Sequence, residues 1–374
     1  MENMREEQYP SEWMDNVSRL GRVFVYNGIM WLSWSGTGIE WECDGAFSLY
    51  IKADKVVLDG PEGDIHAARY ALYKDGALQI DGRLETREKS ICMREEGKHV
   101  YRFIKLSESA DSSLGLVLLE DEEGGCAHIK PSARRKLKIE MIGDSITCGY
   151  GVEGNLGQTY TTATENVTGS YSYMVAQRLN ADYSIISKSG AGMISGYTDT
   201  GERNPANVIT DYYDKMGCSM FPVENEDPKY PSDFEYDFSF EPDIIILNIG
   251  TNDMSYCTPD KVLNNTSFGE EELDGRRREF CSTYKAFIGH LRKKNPFAKI
   301  ICTLGAMGEY LNKIVEMAVS MQVAEGDRRI YWLPLKEQDP ANGYGTDYHP
   351  SPKTQELLAD AVTDFVEKVI GNEV

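Results

Sequence analysis

The chain has 374 residues, enough for two domains with separate cores. Its 60 acidic residues outnumber the 39 basic ones and leave a formal net charge of −21, which repels polyanions and removes the long-range attraction that nucleic acid or an anionic membrane would need. A neutral ligand is favoured, and solubility alone accounts equally well for the acid excess.

The opening residues, Met1-Glu2-Asn3-Met4-Arg5-Glu6-Glu7, have no apolar stretch behind their charges, so a secretory signal is not expected and a cytoplasmic location is. No run of roughly eighteen apolar residues is present to cross a bilayer. The eight cysteines are scattered without C-x-x-C spacing, several inside apolar stretches such as Ile301-Cys302-Thr303, and read as reduced packing residues.

Up to about residue 130 the apolar period is two. Phe47, Leu49, Ile51 and Ala53 alternate with Ser48, Tyr50 and Lys52, and Lys74-Asp75-Gly76, Asp81-Gly82 and Glu95-Glu96-Gly97-Lys98 punctuate later strands at 70–73, 90–94, 99–106 and 114–119. An antiparallel β-sandwich over residues 1–132 is the expectation. The polar, basic, proline-interrupted stretch from Ile129 to Arg135 reads as a linker into a second domain over 136–374.

From Leu137 strands alternate with helical stretches, the pattern of a parallel sheet covered on both faces. Strands are expected at 137–142, 183–187, 243–249, 299–304 and 329–334, and helices at about 168–180, 270–294, 310–324 and 352–370. Ser351 can cap the last helix, with Pro352 at its first position. Residues 196–240, rich in Tyr, Asp, Pro and Gly, form a long irregular insertion.

The stretch Ile142-Gly143-Asp144-Ser145-Ile146-Thr147 sets a serine on a glycine-flanked turn at a strand end, where Ser145 is expected to stand exposed at the carboxyl edge of the sheet. A serine hydroxyl needs a base to act as a nucleophile at neutral pH. Of the five histidines, His66, His99 and His128 fall in the β-region and His290 on a charged helix face, which leaves His349 on the loop before the last helix. Acyl transfer also needs donors for the developing oxyanion. Asn252, ending the most apolar strand, offers a carboxamide, and Gly190 and Ser145 offer main-chain N–H groups. No H-E-x-x-H helix, calcium-loop spacing or phosphate-binding glycine loop is present, so neither metal nor cofactor is expected.

Taken together, Gly143-Asp144-Ser145, Gly190, Gly250-Thr251-Asn252-Asp253 and His349 resemble the four blocks of the SGNH (GDSL-type) hydrolase superfamily. With Gly97-Lys98-His99 and Phe103 to Glu108 ahead of Lys138 to Gly151, nearly the whole chain resembles carbohydrate esterase family 2. That resemblance implies a three-layer α/β/α domain preceded by a jelly-roll-like sandwich. The implied activity is a serine esterase removing O-acetyl groups from xylan or glucomannan, with acetyl transfer to a sugar hydroxyl as a further outcome. In many such enzymes an aspartate stands three residues before the histidine, but here Thr346 holds that place and Asp347 lies two before His349. The resemblance therefore leaves two groups to orient the imidazole, the Asp347 side chain or a main-chain carbonyl.

The implied partner is an acetylated oligosaccharide or polysaccharide, stacked on aromatic faces, for which Tyr348, Tyr197 and Tyr310 are the candidates; Trp332, within a strand, reads as core. Two alternatives stay open: another SGNH lipase or thioesterase, and a carbohydrate-binding protein with a vestigial esterase site. The β-domain could bind glycan or pack over a cleft, and the oligomeric state is unread.

Overall fold

The computed structural model describes residues 11–54, 65–224 and 227–371, so the reading of the first seven residues lies outside it. The chain divides into two compact units. One comprises the N-terminal region to Arg134 with Thr161–Ala163 and Lys215–Tyr236, and the other Arg135–Tyr160, Thr164–Asp214 and the remainder from Asp237.

The first unit is built from two antiparallel sheets. One contains β1 (Ser18–Leu20), β4 (Gly38–Asp44), β9 (Lys98–Lys105), β6 (Arg69–Lys74) and β7 (Ala77–Arg83), with β11 (Ile129–Pro131) pairing with β4. The other runs β2 (Val23–Tyr26), β3 (Ile29–Leu32), β10 (Leu114–Asp121), β5 (Phe47–Ala53) and β8 (Glu88–Met93). Phe47, Leu49, Ile51 and Ala53 of β5 point inward as their alternation requires, into a core with Trp41, Tyr70, Tyr101 and Phe103. Phe47 meets Tyr101 edge-on at 4.6 Å and Trp41 at 5.1 Å. Six strands, β1, β2, β3, β4, β7 and β11, escape the period-two reading. All of β3 is buried, β7 is nowhere buried, and β11 occupies the stretch expected as a linker, its proline tolerated on an edge strand. The returning segment from Lys215 to Tyr236 belongs to this unit: Trp34 donates its indole N–H to the Lys215 carbonyl at 3.2 Å, and Phe24 stacks on Phe234 at 4.6 Å.

The second unit carries a parallel sheet of β12 (Leu137–Gly143), β13 (Ala181–Ser187), β14 (Ile244–Asn248), β15 (Lys299–Leu304) and β16 (Ile330–Pro334), in the order β13-β12-β14-β15-β16. Every residue of β13, β14 and β15 is buried, as strands covered on both faces require. The principal helices are α1 (Ser145–Cys148), α2 (Tyr171–Arg178), α3 (Glu270–Lys294), α4 (Asn312–Ala324) and α5 (Pro352–Gly371). Helix α3 opens on Glu270, Glu271 and Glu272 and closes on Arg292, Lys293 and Lys294, both favourable to its dipole. Ser351 caps α5 through the Thr354 N–H at 3.3 Å, and Leu358, Ala359, Val362, Val366 and Val369 form its buried stripe. In this strand order the chain leaves β12 for β13 on one side and then crosses to β14 on the other, so a crevice opens at the carboxyl ends of β12 and its two neighbours.

Candidate active site

The register of the sheet brings three turns to that crevice. Gly143 pairs with Ser187 of β13 and with Asn248 of β14, so the segments that follow start at one level. Ser145, Gly190 and Asn252 lie two, three and four residues beyond those partners.

Ser145 is only 5% exposed, not standing clear of the surface as the turn-like sequence suggested, because it opens the one-turn helix α1. Asp144 makes that helix possible. Its carboxylate accepts the Ile146 N–H at 3.1 Å and its carbonyl accepts the Thr147 and Cys148 N–H groups at 3.0 and 3.2 Å. Burial pushes the Asp144 carboxyl up to about 7, against the pull of the Ile146 N–H and the Thr251 hydroxyl. Gly143 is required for space rather than for a left-handed backbone: a Cβ there would lie 2.0 Å from Thr147 Oγ1 and 2.9 Å from the Asn248 carbonyl oxygen. Among the described residues the Ser145 N–H and hydroxyl meet no hydrogen-bond partner.

Gly190 sits in the left-handed region (φ 72°), accepting the Tyr197 N–H at 2.9 Å, and its own N–H meets no acceptor among the described residues. Asn252 is buried and donates one carboxamide N–H to the Ala191 carbonyl at 2.8 Å, which leaves the second to the crevice. Next to it, the fully buried Asp253 accepts the N–H groups of Met193, Ile194 and Ser195 at 2.7, 2.8 and 3.0 Å. Burial pushes this carboxyl up to about 6 while the three donors pull it down. Asp253 thus ties the Gly190 loop to the Asn252 turn. Its position after Asn252, a charge at the end of an apolar strand, was the signal for that role.

His349 belongs to a loop that leaves the far edge strand β16 and returns to α1. The return is fixed by Gln355 of α5, whose carboxamide donates to the Ile146 carbonyl at 3.0 Å and accepts the Tyr171 N–H at 2.8 Å. Thr346 donates its N–H to the Gly151 carbonyl at 3.0 Å. The half-buried His349 ring packs on Tyr150 with centroids 4.4 Å apart. Its Nδ1 lies 3.1 Å from the Thr346 carbonyl oxygen; a carbonyl can only accept, so Nδ1 carries the proton and Nε2 is the basic nitrogen. Burial lowers the His349 pKa below the ordinary histidine value, with the Thr346 carbonyl and Asp347 opposing.

Of the two groups left open to orient the imidazole, the main-chain carbonyl has the place. Asp347 is exposed and its carboxylate accepts the Tyr150 hydroxyl at 2.9 Å instead. Tyr348, Tyr197 and Tyr310 are 60%, 53% and 53% exposed, on the histidine loop, beside Gly190 and beside Gly308. Trp332 is half-buried on the edge strand β16 rather than within the core. Tyr150 and Gln355 were not singled out from the sequence, and Thr346 was named only as the residue standing where an aspartate is common.

Residues 139–362 match the family described as GDSL-like Lipase/Acylhydrolase. The chain is 32% identical over 287 residues to Cellulase/esterase CelE of Acetivibrio thermocellus, an alignment that covers 74% of this chain but only 31% of that protein. It is 25% identical over 287 residues to an Acetylxylan esterase / glucomannan deacetylase of Cellvibrio japonicus, covering 74% of this chain and 71% of the relative. The structure of a family two carbohydrate esterase from Clostridium thermocellum in complex with cellohexaose superposes with a TM-score of 0.78 at 26% identity, over 95% of this chain and 99% of that one. The chain belongs to the GDSL-like lipase/acylhydrolase family and shares its fold with the family two carbohydrate esterases.

Proposed function

We propose that the chain is a serine esterase that removes O-acetyl groups from plant polysaccharides or their oligosaccharides. The observation that carries the reading is the pinned imidazole: with Nδ1–H held by the Thr346 carbonyl, Nε2 is the nitrogen available to take the Ser145 proton. Ser145 Oγ attacks the acetyl carbonyl carbon as its proton passes to Nε2. The oxyanion is received by the N–H groups of Ser145 and Gly190 and the Asn252 carboxamide, a set in which each donor is typically worth about 2.7–4 kcal/mol in the transition state. Collapse returns the proton to the departing sugar oxygen and leaves acetyl-Ser145. Water, deprotonated by His349, then releases acetate, and a sugar hydroxyl in its place gives transacetylation.

The substrate class is supported by the named activity of the Cellvibrio relative and by the glucan in the complex of the Clostridium esterase. Tyr348, Tyr197 and Tyr310 are exposed faces suited to stacking on sugars. The test is NMR of acetylated xylan and mannan fragments during incubation. Acetyl signals disappear as free acetate grows, and the Ser145→Ala variant leaves them intact. Acetyl loss that persists in that variant, or octanoate esters cleaved in preference to acetates, would overturn the proposal.

A further inference from the structure

We propose that Tyr150 and Asp347 are positioning residues that clamp the histidine loop, and that Asp347 serves as the anchor of that clamp rather than as a charge relay to the imidazole. The inference rests on the serine-esterase reading for its kinetic consequences, but not for its structural ones.

The loop holds an unusual backbone. Asp347 (φ 51°, ψ 42°) and Tyr348 (φ 61°) are consecutive non-glycine residues in the left-handed region, a conformation that L side chains rarely adopt and that persists only where its surroundings impose it. The reversal brings the Thr346 carbonyl back onto His349, where it accepts both the main-chain N–H at 3.0 Å and Nδ1–H at 3.1 Å. If the two residues relaxed to ordinary angles, that carbonyl would turn away and the imidazole would lose its orientation.

Tyr150 is placed to prevent this. Its main-chain N–H is bonded to the Ser145 carbonyl at 3.1 Å, between the left-handed Gly149 and Gly151, so it is fixed to the nucleophile turn. From there its hydroxyl donates to Asp347 Oδ2 at 2.9 Å while its ring supports the His349 ring. Behind it, Tyr160 stacks on the Tyr150 ring at 4.0 Å with planes 5° apart, and Tyr160 is itself held by Glu165 Oε2 at 2.9 Å. On the far side Gln338 donates to the Tyr348 carbonyl at 2.8 Å. One tyrosine therefore couples the base to the nucleophile, through a carboxylate that faces solvent and is well screened.

Asp347→Asn separates the two roles, because the amide oxygen can still accept the Tyr150 hydroxyl. The clamp predicts a kcat loss below about tenfold for Asp347→Asn, the scale of one exposed charge. A carboxylate acting directly on the imidazole would instead lose roughly 10⁴-fold on the same change. Tyr150→Phe and Asp347→Ala each break the clamp and are expected to lower kcat by about 10²-fold with KM little altered. The double variant falls no further than the lower single one. In ¹⁵N-histidine NMR the His349 Nδ1–H resonance persists in wild type and Asp347→Asn and is broadened by solvent exchange in Tyr150→Phe and Asp347→Ala. A loss near 10⁴ in Asp347→Asn, additive effects in the double variant, or an unchanged Nδ1–H in Tyr150→Phe would overturn the clamp. The NMR measurement decides it even if the wild-type protein cleaves no acetyl ester, an outcome that would refute the esterase reading alone.

Discussion

Three glycines spaced three residues apart after the nucleophile turn allow the demand for empty space to be separated from the demand for a left-handed backbone. Gly151 carries both: its φ is 57°, and a Cβ would lie 2.5 Å from Thr346 Cβ, 2.9 Å from Oγ1 and 3.1 Å from the main-chain nitrogen. Gly154 carries only the first, with Thr346 Oγ1 at 2.1 Å, and Gly157 only the second, with φ 84° and nothing within 4 Å. An alanine in the left-handed region costs roughly 1–2 kcal/mol, and overpacking a filled site costs about 1–3 kcal/mol. Gly157→Ala should therefore lose about 1–2 kcal/mol of stability with no kinetic consequence. Gly151→Ala should lose about 2–5 kcal/mol, a fall in Tm of roughly 2–4 °C per kcal/mol for a unit of this size. Because Gly151 presses on Thr346 backbone as well as side chain, opening the 2.5 Å contact to van der Waals distance moves the Thr346 carbonyl by about 1 Å, enough to cost about 10²-fold in kcat. Gly154→Ala falls between, since the Thr346 hydroxyl can swing aside. The assay is kcat and KM on an aryl acetate alongside calorimetric melting. Equal kcat for the Gly151 and Gly157 variants would refute the claim that the first glycine exists to seat the histidine loop.

Burial lowers the His349 pKa, so the acid limb of kcat/KM is expected to have its midpoint below 6.5, read from a pH–rate profile; a midpoint above that value would contradict the environment described. The same depression means that stability contributed at this site is present above 6.5 and lost as pH falls through the folded value. Asn252→Ala removes a crevice donor and should lower kcat by about 10²–10³-fold with little change in KM, measured on the same acetate. Asp253 shows the opposite linkage to His349. Its folded pKa of about 6 exceeds the ordinary carboxylate value of 3.8, so the native state binds the extra proton and stability falls by about 3 kcal/mol as pH rises across that window. Asp253→Asn loses at least one of the three N–H bonds, and its stability deficit, followed by denaturant melts, should be largest below pH 3.8 and narrow as pH rises through about 6. A deficit that widens with pH would reverse the sign argued here.

The five parallel strands were legible as short apolar-rich stretches, continuous in β14 (Ile244 to Leu247) and alternating in β12, and their expected bounds lie within two residues of the observed ones. In the first unit the expected strands correspond to β5, β6, β8, β9 and β10, and β1, β2, β3, β4, β7 and β11 were not read. β5 alternates and was found, whereas β3 is buried on both faces and β7 on neither, and such strands have no period to read. At the site, side chains of distinctive chemistry could be picked out by type and order. A main-chain carbonyl was one of the two groups expected to orient His349, but which one was not legible, because any residue offers a carbonyl and its direction depends on the angles of Asp347 and Tyr348, neither of them a glycine.

Two carboxylates at strand ends also give the crevice its selectivity for donors. A buried acid is costly unless hydrogen bonds surround it, and a buried N–H is costly unless something accepts it. Asp253 answers both demands together, taking the N–H groups of Met193, Ile194 and Ser195, while Asp144 takes the Ile146 N–H on one oxygen. The N–H groups of Ser145 and Gly190 and one arm of the Asn252 carboxamide remain without an acceptor among the described residues. An oxyanion formed at Ser145 would then meet donors already oriented and not engaged elsewhere, which is the condition under which such groups favour the transition state over the substrate.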